Sequence, residues 1–167
     1  MSRFNNRDAA LETLMMALES EPDLLPEEGQ IGFLRARPHP VMADFASRLS
    51  CQQNYKKDAE ALQEAGFKAE ERITGTYALI LLLPDRQKEQ TLADFARAFE
   101  LLQPGGTLLV SLHNDWGAKR YERILADLCG EAGTISKHHC RTFWVHKTEE
   151  MDQAVLADWK KQGAMQK

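Results

Sequence analysis

Residues 77–112 read YALILLLPDRQKEQTLADFARAFELLQPGGTLLVSL, and this stretch decides the fold. Its first seven residues are apolar on both faces, as in a central strand that helices cover on each side. After Pro84, apolar residues recur at helical spacing and predict a helix over 88–102. A Gln-Pro-Gly-Gly turn over 103–106 then leads into a second apolar strand over 107–112. This order of strand, helix and strand predicts a parallel crossover unit in the middle of a sheet.

The rest of the chain continues the alternation of helices and strands. Upstream, the pattern predicts helices over 7–18, 41–49 and 56–65, and strands over 31–34 and 67–73. Downstream, it predicts a helix over 116–128, an antiparallel strand pair over 134–138 and 141–146, and a polar helix over 151–162. The predicted fold class is therefore α/β and Rossmann-like, of the methyltransferase type. Its sheet is mostly parallel with a C-terminal antiparallel hairpin, and helices cover both faces.

The bulk properties are those of one folded domain. The chain has 167 residues, of which 43% are hydrophobic and 28% charged, close to ordinary globular usage. No apolar run approaches the roughly 20 residues that span a bilayer, and no secretory signal is recognisable, so we expect a cytoplasmic protein without a membrane partner. The net charge of −4 opposes a domain that holds RNA by itself. Any RNA contact is expected to be local or shared with another domain.

The cysteines and histidines predict no metal site or disulfide framework. Three widely spaced cysteines are expected to be buried or inert thiols; they are Cys51, Cys129 and Cys140. The sequence His138-His139-Cys140, with His146 nearby, could indicate metal binding. Because alternation in a hairpin sends neighbouring side chains to opposite faces, we favour turn histidines and a half-buried thiol instead.

Three stretches of the second half carry a family resemblance. Residues 102–110 read LQPGGTLLV, which resembles the Leu-x-Pro-Gly-Gly turn before the fifth strand of class I SAM-dependent methyltransferases. Residues 83–90 (LPDRQKEQ) and 114–120 (NDWGAKR) resemble the N-terminal domain of small-subunit ribosomal RNA guanine-N2 methyltransferases of the methyltransferase C type. The resemblance implies two methyltransferase-like domains in tandem, of which the C-terminal one binds SAM and performs the chemistry.

The same resemblance implies that this half lacks the cofactor-binding and catalytic residues. An active member has an Asp-x-Gly-x-Gly-x-Gly turn after its first strand, because SAM lies against bare backbone there. Here residues 35–40 read RARPHP, with no glycine and no acidic residue. The Asn-Pro-Pro-Phe-like stretch that would hold the target guanine is replaced at residues 83–86 by LPDR, and no clear acidic residue ends a second strand. We therefore expect no catalytic, cofactor-binding or metal-binding residue here, and S-adenosylmethionine only in the missing catalytic domain.

Residues 1–147 are accordingly interpreted as a degenerate, non-catalytic N-terminal domain, and the polar residues 148–167 as a helical linker toward a missing catalytic domain. The resemblance implies that this domain packs against the C-terminal catalytic methyltransferase domain of the same chain and supports its folding. Ribosomal RNA, or the small ribosomal subunit, is the second expected partner. Two alternatives stay open: a small active SAM-dependent methyltransferase with an unconventional pocket, and a stand-alone α/β protein-interaction module.

Four basic residues are candidate RNA contacts, because they follow the carboxyl ends of the two central strands, where α/β sheets bind ligands. They are Arg86, Lys88, Lys119 and Arg120. Acidic residues are interleaved with them, so that ordinary solvated surface charge is the favoured alternative.

The aromatic residues are weighed as core or as surface. Phe95 and Phe99 fall on the apolar stripe of their predicted helix and are expected in the core. Phe143 and Trp144 are adjacent in a strand, so one of them is expected to face outward, where an exposed ring would mark a domain interface.

Overall fold

The computed structural model describes residues 6–164, which form a seven-stranded sheet with helices on both faces. The helices are α1 (Asn6–Ser20), α2 (Lys56–Glu64), α3 (Lys88–Leu101), α4 (Ala118–Cys129) and α5 (Gln153–Ala164). The strands are β1 (Ile31–Leu34), β2 (Leu49–Gln52), β3 (Ala69–Glu70), β4 (Tyr77–Leu82), β5 (Leu102–His113), β6 (Gly133–Lys137) and β7 (Cys140–His146).

The strand order is β3-β2-β1-β4-β5-β7-β6. The first five strands of that order are parallel, whereas β7 is antiparallel to both of its neighbours. The predicted fold class, with its C-terminal antiparallel pair, is confirmed. All parallel strands end at the same edge of the sheet, which is the edge where open α/β sheets bind ligands.

The central strand β4 explains why the sheet is covered on both sides. Every residue of β4 is buried. Ile80 and Leu82 point into the core beneath α3, α4 and α5, while Leu79 and Leu81 point into the core beneath α1 and α2. The prediction that Phe95 and Phe99 lie in the core is confirmed by the first of these two clusters.

Helix α1 is fixed on the opposite face by burial and by a short chain of hydrogen bonds. Leu14 and Met15 are fully buried. The Ser111 Oγ of β5 donates to the Ala10 carbonyl oxygen over 2.7 Å, and the Thr142 Oγ1 of β7 donates to Ser111 Oγ over 2.9 Å. These buried bonds set the start of α1 beside the carboxyl edge of the sheet.

The predicted helix over 41–49 is wrong in part. A 3₁₀ segment covers Pro40–Arg48, Phe45 departs from helical geometry at φ −131° and ψ 21°, and Leu49 opens β2. Met42 and Phe45 are three residues apart, a spacing that suits three residues per turn as well as the α-helix. Strand β2 has four residues, LSCQ, and so short a mixed run carries no clear period.

Two smaller predictions also need correction. The strand predicted over 67–73 is reduced to the two residues of β3. The turn predicted over 103–106 lies inside the longer strand β5, where the register with β4 shifts and Gly105 adopts φ 81°. A left-handed residue of this kind is usual in a β-bulge. The Gly105 N–H donates to the Lys147 carbonyl oxygen over 3.0 Å, so the bulge also holds the end of β7.

Helix α5 packs directly against α3. Trp159 is buried, and its ring centre lies 6.1 Å from that of Phe95. The helices approach closely at Gly163, where an added Cβ would lie 2.2 Å from Ala93 Cβ. Residues 153–164 are therefore part of this fold, and a connection from them to a further domain stays a prediction.

The outward aromatic in β7 is not exposed. Phe143 is buried on one face, and Trp144 is half-buried on the other, where it packs against Gly133 of β6. The expectation of an exposed ring at this place is wrong, because the neighbouring edge strand supplies a glycine that accommodates the indole. None of the helices within residues 6–164 has the length and apolar character of a membrane span.

Candidate functional site

The candidate site lies at the carboxyl edge of the sheet, where the segments that follow β1, β2, β4 and β5 meet. The segment after β1 begins with Arg35, which adopts a left-handed φ of 57°. This conformation is costly for a residue with a Cβ, since glycine is the residue that adopts it freely. Strain of this size is kept where the surrounding structure holds the residue in place.

Hydrogen bonds from the protein itself hold this turn. The Arg35 N–H donates to Gln52 Oε1 over 2.9 Å, and the Ala36 N–H donates to the Gln52 carbonyl oxygen over 2.9 Å. At the start of the 3₁₀ segment, the Val41 N–H donates to His39 Nδ1 over 3.1 Å, and the Met42 N–H donates to the His39 carbonyl oxygen over 3.0 Å. These four backbone donors are therefore committed within the protein.

The side chains of the turn contact carboxylates on two helices, α1 and α3. The Arg35 Nε donates to Asp94 Oδ2 of α3 over 2.5 Å. Arg37 pairs with Asp8 of α1. His39 Nε2 lies 3.0 Å from Glu12 Oε2, also on α1. Acidic residues that the sequence places in the first turns of α1 thus bind the turn after β1. Arg7, beside them, pairs with Asp58 of α2.

The end of β2 carries amides in place of a carboxylate. Gln53 is buried, its Nε2 donates to the Ala36 carbonyl oxygen over 2.8 Å, and its Oε1 accepts from the Tyr55 N–H over 2.9 Å. The glutamine therefore links the turn after β1 to the loop that carries Tyr55. Tyr55 itself is 54% exposed.

The loop after β4 is a short, tightly bonded bend. The Arg86 N–H donates to Asp85 Oδ1 over 2.5 Å, and Thr91 Oγ1 donates to the Asp85 carbonyl oxygen over 3.1 Å. The Asp85 carboxylate lies 3.9 Å from Arg35 Nη1. Pro84 is buried at the start of this bend.

Between these segments lies a cavity of about 270 Å³ at the carboxyl edge of the sheet. This volume is close to the lower limit of ordinary ligand pockets. Its wall combines arginines, carboxylates, an amide and two aromatic rings on an apolar floor. The polar and aromatic lining residues are Arg7, Arg35, Arg37, Gln53, Tyr55, Asp58, Asp85 and Trp116. Each of the three arginines is paired with a carboxylate, so the wall presents both signs of charge beside the two aromatic rings.

The four candidate RNA contacts are exposed at the same edge. The Arg86 guanidinium lies 5.4 Å from the centre of the Trp116 ring, within the range of a cation–π contact. Lys88 is the first residue of α3, and Lys119 and Arg120 belong to the first turn of α4, which follows Trp116. The structure therefore brings Arg86 to the rim of the cavity and leaves the other three on the adjacent helix starts.

The histidines and the cysteine of the β6–β7 hairpin, for which the sequence predicts no metal binding, lie apart or have other partners. Within residues 6–164 no group of three or more His, Cys, Asp or Glu side chains is arranged to hold a metal ion. His146 binds Thr107 at one end of β7, over 3.0 Å, while Cys140 lies buried at the other end. His139 instead faces His113, with ring centres 6.3 Å apart.

The cysteines are poor nucleophiles. Burial raises the pKa of the Cys51 thiol to about 12 and those of the Cys129 and Cys140 thiols to about 11. With pKa values this high, the three thiols are protonated at neutral pH. Because the thiolate is the reactive form, they take no part in the chemistry of the candidate site.

Sequence reasoning missed several residues of the cavity, above all Tyr55, Trp116 and Gln53. Tyr55 and Gln53 follow β2. The sequence pattern did not reveal this strand, so the position of these two residues at the sheet edge could not be assigned. Trp116 was assigned to a helix, whereas it closes a single 3₁₀ turn, Asn114–Trp116, after β5. Arg7 reaches the edge through the packing of α1, for which no local signal exists.

No protein-family model matches this sequence, and no curated protein does either. Solved structures match its fold. The 16S rRNA guanine-N2 methyltransferase RsmC of Thermus thermophilus, solved with AdoMet and guanosine, has a TM-score of 0.66 and 18% identity over 84% of this chain. An RNA methyltransferase of Salinibacter ruber, in complex with S-adenosyl-L-homocysteine, has a TM-score of 0.56 and 14% identity, covering 85% of this chain and 94% of its own.

A methyltransferase from Pyrococcus furiosus is also similar, with a TM-score of 0.59, 14% identity and coverage of 89% of this chain and 88% of its own. The chain spans 40% of the length of the Thermus enzyme. At these identities the likeness establishes the fold, which is that of the Rossmann-like SAM-dependent methyltransferases.

Proposed function

We propose that this chain is a methyltransferase-like domain that transfers no methyl group itself and supports the catalytic domain of a ribosomal RNA guanine-N2 methyltransferase. Its partners are then that C-terminal catalytic domain of the same chain and the small-subunit ribosomal RNA. S-adenosylmethionine belongs to the catalytic domain.

The observation that carries the proposal is the turn after β1. In the usual mode, a nucleoside cofactor presses against bare backbone at this turn. Here the N–H groups of Arg35, Ala36, Val41 and Met42 already have partners within the protein. The side chains of Arg35 and Arg37 extend from the turn to carboxylates on two helices. These residues do not fit S-adenosylmethionine in that mode.

The neighbouring segments support the same conclusion. The end of β2 offers Gln53, whose amide donates to one loop and accepts from another, and no carboxylate for a ribose. At residues 83–86 the loop after β4 reads Leu-Pro-Asp-Arg, without the side-chain amide that would hold a guanine there. The likeness to 40% of the Thermus enzyme's length is consistent with one domain of a longer enzyme.

A calorimetric titration of the chain with S-adenosylmethionine tests the proposal. We expect no binding in the micromolar range, and no transfer of a labelled methyl group to small-subunit rRNA by the chain alone. The supporting role is tested by expressing the proposed C-terminal catalytic domain with and without this domain. A higher soluble yield and activity with the chain supports the proposal, whereas no difference contradicts the supporting role.

The cavity at the carboxyl edge favours one second candidate, a small active methyltransferase with an unconventional pocket. It lies where this fold binds ligands and has carboxylates and aromatic rings in its wall. Micromolar binding of S-adenosylmethionine that is lost on substitution of a cavity residue would establish this candidate and overturn the first.

A further inference from the structure

We propose that the cavity at the carboxyl edge binds single-stranded RNA, with the rings of Tyr55 and Trp116 stacking on bases and the arginines between them contacting phosphate. This inference deepens the proposed function, on which the choice of RNA as the ligand rests. It assigns a nucleotide site to residues that the sequence pattern did not single out.

The order of the strands arranges the lining residues in a row. Tyr55 follows β2, Arg35 and Arg37 follow β1, Asp85 follows β4, and Trp116 follows β5. These strands are neighbours in the order β2-β1-β4-β5. With a spacing of about 4.8 Å between strands, the ends of β2 and β5 lie roughly 14 Å apart. Because the two rings follow strands three positions apart in the sheet, we infer one nucleotide for each ring, so that the row would hold at least two linked nucleotides.

The arginines that line the cavity have N–H donors that their ion pairs do not use. Arg7 pairs with Asp58, and Arg37 pairs with Asp8, in each case through Nη2. A guanidinium has five N–H donors, and two of them can bind one phosphate side by side. Arg37 Nη1 is buried and has no hydrogen-bond partner within the described residues. A buried donor without an acceptor is unfavourable, and the Arg37 side chain, which is 18% exposed, would have to turn toward the cavity for this nitrogen to reach a phosphate.

The two rings are placed as stacking surfaces. Within residues 6–164, Tyr55 is the one large hydrophobic side chain with more than half of its surface exposed, at 54%. Its backbone N–H donates to the buried Gln53, which fixes this part of the loop at the mouth of the cavity. At the other end, the exposed Arg86 lies over the Trp116 ring, 5.4 Å from its centre, so a base would stack there by displacing Arg86, which would then be free to pair with phosphate. Aromatic rings with adjacent cations are the usual means of binding single strands without reading their sequence.

Fluorescence anisotropy with a labelled single-stranded RNA octamer tests the site. Tyr55→Ala is expected to weaken binding about tenfold, because stacking on one ring contributes about that much. Tyr55→Phe, which keeps the ring, is expected to bind like the natural protein. Arg7→Gln is expected to weaken binding and to lower the slope of log affinity against log salt by about one.

The matched control is Lys160→Gln, which removes the same charge from a surface ion pair on α5, with Glu100 at 3.1 Å. It is expected to leave affinity unchanged. Equal affinity for Tyr55→Ala, Arg7→Gln and the natural protein overturns the inference. A lower RNA affinity for Tyr55→Ala, with the affinity of the natural protein restored in Tyr55→Phe, supports the inference. The exposed Tyr55 side chain contributes little to folding, so a loss of affinity reports on binding.

Competition experiments distinguish single-stranded RNA from a free mononucleotide and from a duplex as the ligand. An unlabelled octamer is expected to displace the labelled one, while guanosine monophosphate at the same nucleotide concentration and a duplex of the same sequence are not. Displacement by the mononucleotide as effective as that by the octamer would overturn the assignment to RNA. Binding of S-adenosylmethionine would overturn the proposed function, whereas failure of the octamer to bind would overturn this inference alone.

Discussion

The Arg35 Nε donates to Asp94 Oδ2 over 2.5 Å and thereby joins the strained turn after β1 to helix α3. Burial raises the pKa of the Asp94 carboxyl above its ordinary value of 3.8, although Arg35 and Gln90 act in the opposite direction. The ion pair therefore fixes the turn while its carboxylate carries a desolvation cost.

The pH dependence of stability is predicted to reveal this cost. Because the folded-state pKa is raised, the folded protein binds the Asp94 proton more tightly than the unfolded chain does. The stability associated with that proton is fully present below about pH 4 and is lost as the pH rises through the folded-state pKa. The unfolding free energy of the natural protein minus that of Asp94→Asn, from urea titrations, is expected to fall as the pH rises above about 4.

The control for this prediction is Asp85→Asn. Its side chain is half exposed, at 50%, and lies 3.9 Å from the same guanidinium. Its difference curve is the baseline against which that of Asp94→Asn is compared. A difference for Asp94→Asn that rises with pH would mean that the attraction of Arg35 outweighs the desolvation of the carboxylate.

The contact between α5 and α3 predicts that Gly163→Ala destabilises the domain. On an exposed helix this change would stabilise by about 1 kcal/mol. Here the new Cβ would lie 2.2 Å from Ala93 Cβ, and such overpacking is expected to lower the unfolding free energy by about 2 kcal/mol. Thermal or urea unfolding measures the change, with Lys161→Ala on the exposed side of α5 as control. Increased stability would mean that α5 does not pack on α3.

The sequence predicted the elements whose periodicity is long and strongly apolar. The pattern located β4 and the hydrophobic part of β5 because their buried residues form continuous runs, and it located α3 because its buried residues recur at helical spacing. β2 and β3 were missed or misjudged because they have four and two residues, and their backbone pairing depends on neighbours distant in the chain.

The candidate site was predicted less well than the fold. Arg86 was placed at the carboxyl edge because it follows β4, a strand that the pattern had located, and its contact with RNA stays a prediction. The cavity depends on α1, whose Arg7 reaches the edge only because Ser111 binds the Ala10 carbonyl oxygen of that helix. Such contacts between elements a hundred residues apart leave no local signal in the sequence.

The turn between β6 and β7 predicts a stabilising substitution. His138 and His139 both adopt left-handed backbone, at φ 54° and 61°, as a two-residue hairpin turn requires. His139→Gly is expected to raise the unfolding free energy by about 1 kcal/mol, because glycine adopts this conformation without the Cβ penalty. His139→Ala is the matched control, since it removes the same imidazole and keeps the Cβ. Equal stability of the two variants would contradict the strain.

The start of α4 provides the last prediction, on the supporting role in RNA binding. Arg120 and Lys119 lie in the first turn of α4, where the helix dipole disfavours cations, so they are not placed there for helix stability. If they contact phosphate together with the catalytic domain, Arg120→Ala weakens rRNA binding by that combination several-fold at low salt and lowers the salt slope by about one. Arg123→Ala, exposed on the same helix, is expected to have no effect. Equal binding by both variants would leave solvated surface charge as the explanation for Arg120.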